Sequence, residues 1–85
     1  MKNPEYKINK LKLKSRLKNY CLEGYNVHHI VFLHIGGGHE IENLCYMKER
    51  KHAALHREIG DYPNLSKKEL IEIARKYGGI GIDLK

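Results

Sequence analysis

The sequence predicts a small single-domain α+β fold: a helix, then a strand–loop–strand–helix unit, then a last helix. Three observations carry that expectation. Eighty-five residues fit one domain, against roughly 100–200 for a typical one. The β-rich residues are confined to two short stretches near the middle of the chain, with Gly36-Gly37-Gly38 between them. On either side, apolar residues keep helical spacing.

Taken in order, Asn3-Pro4-Glu5 has the form of a helix start, with Asn as cap and Pro at the first helical position. The next stretch fits two patterns. Lys10 to Lys14 alternates like a strand, whereas Leu13, Leu17, Tyr20 and Cys21 fall on one helical face. The helix is placed over about residues 14–22, ending near Gly24. Asn26–Leu33, with Val27, Ile30, Val31 and Phe32, is expected as a strand, His34–Glu42 as a loop and Leu44–Met47 as a second short strand. Good helix formers run from Lys48 to Ile59, and Gly60 comes next as a terminator. Asp61–Leu65 is a connection. Ser66-Lys67-Lys68-Glu69 is a capping box opening a helix to about Tyr77, which Gly78-Gly79 stops, leaving Ile80–Lys85 as a tail. The expected organisation is a basic segment over 1–24, a core over 25–60 and a C-terminal helix and tail over 61–85, all within one domain.

Composition excludes several classes. At 41% apolar and 31% charged, the chain is too hydrophobic to be disordered and too charged to be fibrous. Its longest apolar run, Ile30–Leu33, is far short of the ~20 residues of a membrane span and of a signal-peptide core, so no membrane is expected as a partner. Cys21 and Cys45 can supply neither a disulfide framework nor an all-cysteine zinc site. They are expected as reduced, semi-buried thiols of a cytoplasmic protein (in the host cytoplasm, if phage-encoded).

The net charge of +6 gathers at the front. Residues 1–24 carry Lys2, Lys7, Lys10, Lys12, Lys14, Arg16 and Lys18 against Glu5 and Glu23, while residues 25–60 are neutral. Such an arm suits a polyanion, because each neutralised phosphate releases counterions. Lys10, Lys12, Lys14, Arg16 and Lys18 are therefore candidate phosphate contacts. The plain alternative is a solvated lysine face kept for solubility.

The six histidines are more informative in arrangement than in number. His28 and His29 are adjacent on a strand, so their side chains point to opposite faces. His52 and His56 are four apart on a helix and share one face, the spacing that lets two imidazoles reach one metal. One of the strand pair with the two from the helix makes a three-histidine site that leaves positions open for water or phosphate, the pattern of a catalytic metal. The other strand histidine, beside the metal but not on it, could act as a base. His34 and His39 lie in the loop and are expected to be solvated or phosphate-facing. Zinc metalloproteases share the i, i+4 pair but place a glutamate directly after the first histidine; here Ala53 stands there and cannot activate water.

Val27-His28-His29-Ile30, Gly36-Gly37, Asn43-Leu44, His52 and Leu55-His56 together resemble the HNH nuclease family. The pattern His-His-x6-Gly-Gly-x5-Asn-Leu-x7-His-x3-His lies on residues 28–56 without a gap, and the resemblance covers about 33 of the 85 residues. It is similar to the ββα-metal (His-Me finger) core of phage and bacterial HNH endonucleases and of the nuclease domains of bacteriocins such as colicins. No Cys-x-x-Cys zinc ribbon of the kind some relatives add is present.

The resemblance implies that His28, His52 and His56 are metal ligands and that His29 is the general base for the attacking water. It implies that Asn43 ties the loop together and orients His29 through a backbone hydrogen bond, and that Gly36 and Gly37 let the loop turn sharply. Arg50 and Lys51, near the start of the helix at Lys48, would add phosphate contacts, and Arg57 would clamp the scissile phosphate. Residue 26 is Asn, so no acidic partner upstream of His28 can be matched.

The function expected from these readings is a metal-dependent DNA endonuclease hydrolysing phosphodiester bonds, with a histidine base and one divalent ion per chain. Imidazole ligands suit zinc or nickel; nucleases also use manganese or magnesium. A rival from another class is a metal- and nucleic-acid-binding module with weak turnover or none. A third is a toxin-type nuclease acting on RNA, placed last because the chain opens on methionine with no delivery region ahead of the core. One site per chain would nick one strand, so a homodimer joins DNA among the expected partners.

Overall fold

Asn3 begins the first helix: its Oδ1 accepts the Tyr6 N–H at 3.1 Å, and Pro4 occupies the first helical position. In the computed structural model, which describes residues 3–82, this helix (α1) runs Pro4–Arg16 rather than over 14–22. The stripe it buries is Tyr6, Lys10, Leu13 and Leu17, at intervals of three or four, with Leu13 and Leu17 fully enclosed. Leu17 closes the helix by donating its N–H to the Leu13 and Lys14 carbonyls. Beyond it the chain turns, and Tyr20 and Cys21, expected on the buried face, are exposed. Of the alternating Lys10 to Lys14, only Lys10 and Leu13 belong to that stripe; Leu11, Lys12 and Lys14 are exposed.

Two short strands, β1 (Tyr25–His29) and β2 (Leu44–Lys48), pair antiparallel with His28 opposite Cys45 and His29 opposite Leu44. β1 ends at His29, not at Leu33, for a specific reason. The Asn43 side chain takes both backbone groups of Val31, accepting its N–H at 2.8 Å and donating to its carbonyl at 3.0 Å, where a partner strand would otherwise continue. Leu33–Ile35 then forms one 3₁₀ turn and stops at Gly36, whose φ of 106° favours glycine. Gly37 is fixed by space instead, since a Cβ there would collide with the Val31 carbonyl. A second 3₁₀ turn, Ile41–Asn43, leads into β2, so the expected loop is partly ordered helix.

The α2 helix (Glu49–Ile59) ends at Gly60, and α3 (Lys67–Lys76) begins with the expected capping box. There the Ser66 hydroxyl accepts the Glu69 N–H at 3.1 Å and the Glu69 carboxylate accepts the Ser66 N–H at 3.0 Å. The predicted tail is not wholly free: Ile80 exchanges two backbone hydrogen bonds with Tyr46, at 2.8 and 3.0 Å, on the open edge of β2. Asp83, Leu84 and Lys85 of that tail, and Lys2 of the basic arm, lie outside the described residues.

The strand alternation separates two apolar clusters. Cys45 and Met47 join Ile30, Phe32, Leu55, Leu70 and Ala74 on the side of α2 and α3. Leu44 and Tyr46 join Leu13 and Leu17 on the side of α1. The described residues thus form a three-layer α+β fold of three helices about a two-stranded sheet, 32 × 26 × 23 Å. The two cysteines are not alike: Cys45 is buried in the core, Cys21 is exposed, and no disulfide joins them. Among the described residues no helix is long and apolar enough to cross a membrane.

Candidate metal centre

Leu55, fully buried, sets the rotation of α2 and so turns His52 and His56 toward the sheet. Their Nε2 atoms lie 3.0 Å apart. His28 comes from the facing side of β1, its ring centroid 5.1 Å from that of His52 and 5.5 Å from that of His56. One ring nitrogen from each of the three lies within 4.8 Å of the others, close enough to hold a metal ion. Of the two strand histidines it is therefore His28 that joins the helical pair. Phe32 walls the group, 4.6 Å from the His56 ring and 5.9 Å from His28.

The electrostatics favour a cation. Burial, reinforced by His52, His56 and His29, lowers the His28 pKa to about 3. Burial also lowers His52, with His56 adding to the effect, and lowers His56, where Asp61 opposes the shift and His34 adds to it. All three imidazoles are thus neutral near pH 7, the state a metal requires. Among the described residues, His28 Nδ1 is buried without a hydrogen-bond partner, an arrangement natural proteins rarely leave unmet. The donor set and this unmet nitrogen fit a bound metal ion. The Asn26 amide, on the same face of β1 as His28, meets His52 Nδ1 at 3.4 Å. Residue 26 therefore bears on a helical histidine of the group, not on His28, whose partner the sequence failed to show.

His29 points the other way, toward α1. Its Nε2 lies 3.2 Å from His39 Nδ1, and Tyr6 stacks on its ring at 5.4 Å with the planes 22° apart. Burial, then His39 and His52, lower its pKa, with Glu40 opposing. It nevertheless lines the same cleft, about 220 Å³, as Phe32, His34, His52 and His56. The Asn43 side chain donates to the Gly38 carbonyl at 2.9 Å as well as holding Val31, so it links the two ends of the loop beside His29.

The loop histidines divide. His34 is exposed, with its Nε2 against the Asp61 carbonyl oxygen and its ring edge-on to Tyr62. His39, expected to be solvated or phosphate-facing, is half-buried against His29 and Tyr6.

The basic residues also divide. Lys10 and Lys14 line a groove of about 500 Å³ with Tyr6, Tyr25, Asn26, Val27 and His52. It shares Val27 and His52 with the histidine cleft, so the two border one another. Lys12, Arg16 and Lys18 are exposed and do not line it. Arg50 and Lys51 line a separate groove of about 750 Å³ at the start of α2, with Tyr25 and Lys48, and Arg57 is exposed in the last turn of that helix.

Sequence reasoning missed Tyr6, Asn26 and His39. Asn26 carried a signal, standing two residues before His28 and hence on its face of the strand. Tyr6 carried one in its helical spacing to Lys10 and Leu13, whereas nothing in the sequence pairs His39 with His29. No known protein family, curated protein or solved structure matches this chain.

Proposed function

We propose that the chain is a metal-dependent endonuclease with a ββα-metal core, hydrolysing phosphodiester bonds in DNA. The observation that supports this reading best is a shared cleft. His29, which is not one of the three grouped histidines, lines it together with His52 and His56. A nuclease of this kind needs that division, one imidazole free to take a proton beside others engaged elsewhere.

In this reading His28, His52 and His56 hold one divalent ion, and their all-imidazole character suits zinc or nickel better than magnesium. The ion, when bound, supplies positive charge to the phosphate and to the departing 3′-oxygen. Neutral His29 takes the proton of the water whose oxygen attacks phosphorus; the P–O3′ bond breaks and the departing oxygen takes a proton from solvent, leaving a 5′-phosphate and a 3′-hydroxyl. Asn43 keeps the loop beside His29 from shifting. Lys10 and Lys14 attract the flanking phosphates along the groove that adjoins the cleft.

One observation favours the binding module as a second reading: His29 Nε2 already lies against His39, and three histidines tying β1 to α2 would serve folding alone. Supercoiled plasmid incubated with zinc, nickel, manganese or magnesium separates the two. Nicking with at least one ion, abolished by EDTA, is expected. Metal and DNA binding without cleavage under any of the four would leave the module, and cleavage confined to RNA would redirect the enzyme to that substrate.

A further inference from the structure

We infer that His39 and Tyr6 form a mount for the His29 ring, His39 fixing its tautomer by accepting a hydrogen bond from Nε2–H and Tyr6 fixing its plane. The roles of these two residues in turnover rest on the reading of His29 as a base; the mount itself does not.

Three separate parts of the chain converge here. β1 ends on His29, α1 brings Tyr6, and the glycine-rich loop brings His39. The backbone on either side of the His39 side chain is held from two directions. The Gly38 carbonyl accepts from Asn43 Nδ2 at 2.9 Å, and the His39 carbonyl accepts from Asn9 Nδ2 at 2.9 Å. Asn9 lies three residues after Tyr6, on the same face of α1. A solvated loop histidine needs no such restraint; here it brings His39 Nδ1 to 3.2 Å from His29 Nε2.

In a hydrogen bond between two imidazoles one nitrogen donates and the other accepts, so the tautomers of His29 and His39 are tied together, and in the mount His29 Nε2–H is the donor. With Nε2–H donating, the free lone pair of His29 is on Nδ1. Tyr6 removes the remaining freedom, rotation of the ring about its own axis, by lying nearly parallel at 5.4 Å. His39 and Tyr6 touch neither substrate nor ion in this scheme and are positioning residues.

The test combines ring spectroscopy with kinetics on the full chain loaded with zinc. Long-range ¹H–¹⁵N spectra above neutral pH should show His29 as the Nε2–H tautomer in the unmodified protein and as a mixture in His39→Ala. In plasmid nicking, His39→Ala should lower kcat by about 10–100-fold, as loss of an orienting partner commonly does, with KM for DNA and zinc stoichiometry unchanged. His39→Asn, whose amide oxygen falls near the place of Nδ1, should restore most of the rate. Tyr6→Ala should lower kcat, and Tyr6→Phe should restore most of the rate. His29 in the Nδ1–H form, a spectrum unaffected by His39→Ala, or an unchanged kcat in that variant would each overturn the mount. A wild-type protein that cuts no nucleic acid defeats the nuclease reading alone, and the His29 tautomer in the two proteins then decides the mount.

Discussion

His28 and His29 differ by one position, and the pleat of the strand gives them opposite surroundings. His28 is closed into the α2 side with no partner for Nδ1 among the described residues, while His29 meets Tyr6 and His39 on the α1 side. Single substitutions should therefore separate binding from turnover. His29→Ala should leave zinc stoichiometry and DNA affinity near normal while cleavage falls by about 10²–10⁴-fold, the usual worth of a positioned base. His28→Ala should lose zinc affinity and cleavage in parallel. Calorimetric zinc titration beside plasmid nicking reads both, and a His29 variant that stops binding zinc would exchange the roles. Backbone geometry, period two on a strand and i, i+4 on a helix, made His52, His56 and one of the strand pair legible in the sequence; the choice of His28 came only from the resemblance. Asn26 against His52 and His39 against His29 were not legible as pairs. They meet through packing between elements 26 and 10 residues apart, and local spacing carries no record of that.

At the scale of elements, α1 does two things at once: Leu13 and Leu17 anchor it to the sheet, and Lys10 and Lys14 edge a groove that borders the histidine cleft. Neutralising Lys10 and Lys14 together should weaken DNA binding across sequences and reduce the slope of log affinity against log salt by about 2 on duplex DNA. Neutralising Lys12 and Lys18, which lie off the groove, should change the slope less. Equal effects from the two pairs, measured by anisotropy over a salt series, would return the arm to a diffuse cationic face. The helix itself was half legible. Its cap was plain in Asn3-Pro4, but a stripe made of one tyrosine, one lysine stem and two leucines is weakly apolar, and the local Lys–Leu alternation outweighed it. α2 and α3 were legible because Gly60 and the Ser66–Glu69 box mark their ends chemically. The end of β1 was hidden because Asn43, 12 residues past Val31, sets it.

For the molecule as a whole, the three-histidine group lies between the sheet and α2, so whatever changes its charge acts on the joint between two layers. Without metal, His28 stays neutral in the folded protein down to about pH 3, whereas in the unfolded chain it titrates near its ordinary value of 6.5. Between those limits the unfolded state binds more protons than the folded one, and stability must fall as the pH is lowered. The slope for this buried group alone approaches about 1.4 kcal/mol per pH unit, and full stability returns above the unfolded value. His52 and His56, lowered in the same direction, steepen it. A bound ion opposes the loss by stabilising the folded state in proportion to its affinity, but it competes with the same protons, so its benefit should shrink over the same range. Urea unfolding of the EDTA-treated and zinc-loaded protein, from about pH 8 to about pH 5, reads both effects. A steep decline without metal is expected, together with a zinc increment largest at the alkaline end. The increasing repulsion of an already cationic chain acts in the same direction, and His28→Leu separates the two causes. That variant has nothing to protonate at position 28, so its metal-free slope should be shallower and its zinc increment small. An equal slope in the variant would show that the acid sensitivity does not come from His28.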